Sequence, residues 1–309
     1  MPTIFSKTAM SAKPLTIAPH DVRETPASVF PGRRAYPARP VAEADQADAL
    51  REIRPARHWP GIGLVIPLLA LVLGEAAPRL GWISPHLLPP PSTVLQTLRD
   101  WGPLTLATHI GASAARVAAG FALGAALAVA IGALVGLSRL GERLLAPSFQ
   151  ALRAIPSLAW VPLLLLWLGI DEAPKIVLIA IGAFFPVYMG VASGFRDVDR
   201  KLVEVARMAR LSPLALVRRV LLPAALPAVL TGLRNGLSLA WMFMVAAELI
   251  AASRGLGYLL TDGRETSRAD IVLAAILLLA LLGKLTDSAM QWLEHRLLSW
   301  RDTFDGGQS

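Results

Sequence analysis

Six apolar runs, each near the ~20 residues needed to cross a bilayer's hydrocarbon layer, are separated by short polar segments carrying most of the charge. A chain written this way reads as an all-α polytopic membrane protein of about six transmembrane helices. The expected spans are 62–80, 110–137, 152–168, 175–194, 226–251 and 271–293. The first is weakened by Pro67 and Glu75, the third by Pro156 and Pro162. Hydrophobic residues make up 54% of the 309, above the soluble norm of roughly 45–50% even with glycine left out.

Net charge is +8, but the cations lie between apolar runs and are not interleaved with aromatics. They therefore act as a topology signal, not as a nucleic-acid surface. With the N-terminus inside, one side of the membrane collects the basic leader, Arg139, Arg143, Arg153 and the seven Lys and Arg of the segment from Arg196 to Arg219. Arg296 and Arg301 join them. The other side carries fewer cations, partly balanced by Asp171, Glu172, Asp262, Glu265 and Asp270. Both termini are thus expected in the cytoplasm.

Four regions follow. Residues 1–58 are expected to be a disordered cytoplasmic leader, broken by Pro14, Pro19, Pro26, Pro31, Pro37, Pro40 and Pro55. Residues 59–104 hold the first span and a periplasmic amphipathic segment that starts at Pro89-Pro90-Pro91-Ser92. A core of five helices, 105–293, contains a cytoplasmic loop at 195–223, and 294–309 form a cytoplasmic tail. Within the second span, Gly120-x-x-x-Gly124 and Gly132-x-x-x-Gly136 prepare a face for close approach by another helix.

The loop is polar yet patterned. Asp197 and Asp199 precede a helix whose Leu202, Val205, Ala206 and Ala209 recur at helical spacing. Ser212-Pro213 supplies an N-cap and first-turn proline for a second short helix. Such a folded loop between spans is expected to be a docking surface, the alternative being a solvated charged linker. Glu204-x-Ala206, followed by Val220-Leu-Leu-Pro223, resembles the EAA loop of ATP-binding-cassette importer permeases. From Gly136 to Arg301 the chain is similar to the aliphatic sulfonate permeases of the nitrate/sulfonate/taurine group. Gly136-Leu-Ser-Arg-Leu-Gly-Glu-Arg143, Leu168-Gly-Ile-Asp-Glu172 and Leu281-Leu-Gly-Lys284 carry that likeness.

The resemblance implies a type I importer permease fold in the bacterial inner membrane, working as a homodimer with a cytoplasmic ATP-binding subunit and a periplasmic solute-binding protein. It also implies coupling to the ATPase through Glu204, Ala206, Arg207, Arg210, Leu211 and Pro223. The family motif has glycine where this chain has Arg210, so the helix is expected to run on to Leu211. The implied cargo is an aliphatic sulfonate, with taurine and nitrate as alternatives.

No residues make an enzyme site. Serines lack a Gly-x-Ser-x-Gly elbow, histidines lack metal spacing, and no phosphate-binding glycine loop occurs. No catalytic residue, cofactor or metal is expected, and ATP hydrolysis falls to another chain. Charges at membrane depth remain, costly unless paired or wet. Arg116, and Arg234 beside Asn235, are candidates for the pathway of an anion. Lys284 and Asp287, three apart, read as a structural pair, and Glu248 as reaching the membrane interface. An ATP-independent secondary transporter is the competing class. It calls for a set of acidic coupling residues and two related halves, and neither is evident.

Overall fold

The computed structural model describes residues 62–300; the expected leader and the last nine residues of the tail lie outside them. Ten α-helices run through these residues: α1 (Ile62–Arg79), α2 (Pro91–Leu137), α3 (Arg139–Ala154), α4 (Val161–Leu168), α5 (Glu172–Arg196), α6 (Arg200–Met208), α7 (Pro213–Leu216), α8 (Leu222–Ala251), α9 (Leu256–Glu265) and α10 (Ala269–Leu297). Among the described residues, α2, α5, the helix built from α7 and α8, and α10 are long and apolar enough to cross a membrane. The bent pair α3–α4 makes a fifth crossing if counted as one span. The expected first span folds as an 18-residue helix, α1.

α5 is the axis of the bundle, packed by α2 on one side and α8 on the other. The glycine stripe on α2 is what admits α5. A methyl group on Gly120 would come within 2.6 Å of Ile179, one on Gly132 within 2.9 Å of Val191, and one on Gly136 within 2.8 Å of Phe195. Without a hydrophobic drive between helices in lipid, such backbone proximity and its dispersion contacts hold the pair together. On its other side α5 meets α8 glycine to glycine, where a methyl on Gly190 would lie 2.7 Å from the Gly232 Cα. Ala128, Val135, Val187, Val191 and Ala225 fill the core at the end carrying the 197–221 loop. Val117, Leu178, Ile179, Ala240 and Met244 fill it at the opposite end.

Proline explains the departures from straight spans. The expected third span, 152–168, is not one rod. The chain bends by 87° between α3 and the segment 157–168, because Ile155 precedes Pro156 and takes an extended conformation (ψ 123°). The expected amphipathic segment forms the first part of α2, up to Trp101. Gly102 (φ 67°) breaks the helix before Pro103. Glu75, a flaw for a membrane span, caps that segment: its carboxylate accepts from the Ser92 amide at 3.0 Å and from Ser92 Oγ at 2.7 Å, and it pairs with Arg79.

Candidate functional site

Three local arrangements combine chemistry with position: a folded loop at one end, a sealed knot at the other, and a groove between. The loop begins with Asp199, whose carboxylate accepts from the Lys201 amide at 2.9 Å and caps α6. Ser212 caps α7 in the same way, accepting from the Ala215 amide at 3.3 Å, with Pro213 at the first helical position. Glu204 and Arg207 project into solvent from α6, while Ala206 is buried at 5% exposure.

The expected continuation of α6 to Leu211 is corrected by the structure. α6 ends at Met208, and Arg210 adopts the left-handed conformation, φ 52°. The Leu211 amide donates to the Ala206 carbonyl at 3.2 Å and the Arg210 amide to the Arg207 carbonyl at 2.9 Å. These two bonds define a Schellman motif with Arg210 at C′, the position where glycine is favoured. The bend is therefore made despite the arginine, not lost because of it. Beyond α7, residues Val217–Leu221 widen into a π-helical stretch before α8. Pro223 lacks the N–H that an α-helix would aim at the Arg219 carbonyl, and a π turn is one way a helix absorbs such a defect.

At the opposite end, the start of α5, the end of α8 and the middle of α2 converge on Arg116. Its Nε and Nη2 form a bidentate pair with Glu172 at 2.6 and 2.7 Å. Nη1 donates to Glu248 Oε1 at 2.7 Å and to the Arg254 carbonyl at 2.7 Å. Lys175 Nζ adds a bond to Glu172 at 3.1 Å. Glu248 also accepts from Ser113 Oγ at 2.8 Å and from the Gly257 amide at 2.7 Å, and Ser113 Oγ accepts from Leu256 N at 2.8 Å. Four of the five guanidinium N–H groups and both Glu248 oxygens are thus engaged, as burial in low dielectric demands. Glu248, expected to reach the interface, is instead 1% exposed. The reason is local. Gly255, at φ 127°, brings the backbone so close to the carboxylate that no Cβ would fit.

Between the ends, α5 and α8 form the walls of a groove of about 710 Å³, and the α3–α4 bend closes part of its rim. Its polar lining is Ser193 of α5, Thr231 and Asn235 of α8, and Arg153 and Ser157 from the bend. Pro186, Met189 and Met242 are among the apolar residues between them. The groove starts near Ser193, one turn from the loop end of α5, and reaches Gly182, about 16 Å along the helix. It stops short of the Arg116 knot.

Of the three expected pathway residues, only Asn235 lines this groove. Arg234, one residue along, faces α10, where Nε and Nη2 donate to Asp287 at 2.6 and 3.1 Å inside a separate cavity of about 200 Å³. Asp287 therefore pairs with Arg234 on another helix, and the expected Lys284–Asp287 pair is not formed. Trp241 Nε1 donates to Thr286 Oγ1 at 3.0 Å and fastens the same two helices. Arg116 sits in the knot. Arg153, Ser157, Ser193 and Thr231 carry no pathway signal in the sequence; only the bend and the α5–α8 crossing bring them to one surface.

A bundle of long apolar helices, with a groove reaching partway through and a capped polar loop at one end, is the architecture of a membrane permease. Residues 120–299 match the family described as binding-protein-dependent transport system inner membrane component. The chain belongs to that family and is a multi-pass inner-membrane protein. It is 43% identical over 266 residues to the aliphatic sulfonates transport permease protein SsuC of Bacillus subtilis (strain 168), covering 84% of this chain and 95% of that one. It is 36% identical over 254 residues to the taurine transport system permease protein TauC of Escherichia coli (strain K12), covering 79% and 92%. Its fold matches a solved chain of the MetNI methionine ABC transporter at TM-score 0.56 and 20% identity, over 64% of this chain and 98% of that one.

Proposed function

We propose that this chain is the membrane subunit of an ATP-driven importer of aliphatic sulfonates. The observation that carries this reading is the 43% identity to a sulfonate permease along almost the whole of that relative. Two copies would face one another across their grooves. A cytoplasmic ATP-binding subunit would seat on α6, with Glu204, Arg207, Arg210 and Leu211 on or beside its contact surface. A periplasmic solute-binding protein would deliver cargo at the Arg116 end. The Lys and Arg bias of the loops supports a cytoplasmic α6 and cytoplasmic termini.

In this mechanism, closure of the ATPase dimer pushes α6 and α7. The π stretch and Pro223 pass that movement into α8, one wall of the groove. The knot and the groove then act as alternating closures, one intact while the other is open. The carboxylates weigh against a proton- or sodium-coupled carrier. Among the described residues, Glu75, Glu248 and Asp287 each already pair with an arginine, which leaves none poised to load a coupling ion.

The test is uptake of a radiolabelled alkanesulfonate by cells that lack their own sulfonate importers and express this chain with its ATPase and binding protein. ATP-dependent uptake, and growth on alkanesulfonate as sole sulfur source, are expected. Uptake of taurine or nitrate in its place would reassign the cargo, and uptake without the ATPase would overturn the class.

A further inference from the structure

A sulfonate keeps its negative charge at any physiological pH, so a low-dielectric route for it needs a cation or converging donors. Both deep arginines are already neutralised, Arg116 by Glu172 and Glu248 and Arg234 by Asp287. One cation remains on the groove. Arg153 is the single charged residue of its lining. It lies in the last turn of α3, its side chain is exposed, and no acidic residue pairs with it among the described residues.

Its position follows from the fold. α3 leaves α2 at the loop end and is held there by an ion pair between Glu142 and Arg196 at 3.4 Å. The bend at Ile155-Pro156 then turns the chain, so Arg153 and Ser157 flank the corner on the groove side, across from Thr231 and Asn235 of α8. A guanidinium there can offer two parallel N–H donors to an oxyanion, with hydroxyl and amide donors on the facing wall. We infer that Arg153 is the residue that reads the anionic head of the cargo, holding the sulfonate oxygens at the rim of the groove beside the bend. This rests on the proposed sulfonate import. The shared chemistry is an oxyanion, which a phospholipid headgroup reaching the same rim would also present.

The chain contains no cysteine, so Arg153→Cys introduces its only thiol. The purified permease–ATPase complex carrying this change would be treated with methanethiosulfonates bearing an ammonium, an uncharged alkyl or a sulfonate group, then reconstituted with the binding protein in liposomes. The unsubstituted complex, treated identically, controls for thiols of the partners. Sulfonate uptake is expected to fall about tenfold in Arg153→Cys, return largely with the ammonium group, and stay low with the other two. Arg153→Lys should retain most activity, and ATPase assembly should be unchanged throughout. Uptake at the unsubstituted rate in Arg153→Cys, or equal rescue by the uncharged group, overturns the inference while leaving sulfonate import standing. No sulfonate uptake by the unsubstituted complex overturns the import reading itself, and the inference with it. Liposomes of phosphatidylcholine alone and of phosphatidylcholine with phosphatidylglycerol separate the two oxyanions. The same dependence on charge in both supports the substrate, and a dependence confined to the anionic lipid overturns it.

Discussion

Arg116 Nη1 and Glu248 Oε1 lie 2.7 Å apart with side chains 4% and 0% exposed, and they join the middle of α2 to the end of α8. A pair buried to this degree contributes little over an apolar substitute, yet breaking it by removing one partner is expensive. Glu248→Ala is expected to destabilise the permease by about 3 kcal/mol, because Ser113 and the Gly257 amide lose their acceptor along with Arg116. Glu172→Ala, which removes a side chain 43% exposed, should cost only about 1 kcal/mol. Thermal unfolding of the two variants in detergent checks the order, and equal losses would show that burial does not set it.

Arg210 makes the opposite kind of prediction. A non-glycine residue in the left-handed region is strained by about 1–2 kcal/mol, partly offset because glycine has more backbone freedom to lose on folding. Arg210→Gly should therefore stabilise the loop by about 0.5–1 kcal/mol and leave transport intact. Arg210→Val, with a branched Cβ in the same conformation, should destabilise it. Amide hydrogen exchange at Leu211, whose N–H closes the motif, reports both directions. Faster exchange in Arg210→Gly would mean that the arginine side chain supports the turn.

Glu204 is exposed on α6 beside the buried Ala206. Reversing its charge with Glu204→Arg should leave the permease folded and in the membrane but strip the ATPase from it during purification. Co-purification at the unsubstituted ratio, with normal uptake, would move the docking contact elsewhere on the loop.

Arg234 and Asn235 are neighbours in sequence but face different surfaces, which permits a paired test. Arg234→Gln should cost about 1 kcal/mol of stability, since its pair with Asp287 is only partly buried, while uptake per folded subunit stays the same. Asn235→Leu should leave the melting temperature almost unchanged and slow uptake about fivefold by removing a polar donor from the groove. Slower uptake in Arg234→Gln at equal subunit levels would put that side chain on the pathway after all.

Much of this was legible in the sequence because membranes leave few options. Run length located α2, α5, α8 and α10, the Gly-x-x-x-Gly steps marked the α2 face that meets α5, and Asp199 and Ser212 announced two helix starts. Pairing was not legible. Spacing within one helix suggested Lys284 for Asp287, whereas the partner came from α8, 53 positions away. Arg116 drew its partners from α5 and α8 in the same manner. Such ion pairs depend on helix rotation, which glycine contacts between helices fix and hydropathy does not encode. Arg210 was misjudged because helix propensity favours arginine, while the C′ geometry is imposed by the chain having to turn toward Ser212-Pro213.

The saturated knot around Glu248 also has an electrical consequence. An energised membrane drives each elementary charge with about 2.3 kcal/mol per 100 mV, so a transporter idle between cycles must not leak protons or small ions. Conduction through polar side chains needs a vacant acceptor or a donor free to rotate into a relay. At Ser113, Arg116 and Glu248 nearly every such position is already committed. The same hydrogen bonds that hold three helices together therefore leave few groups at this end of the bundle through which a proton could pass.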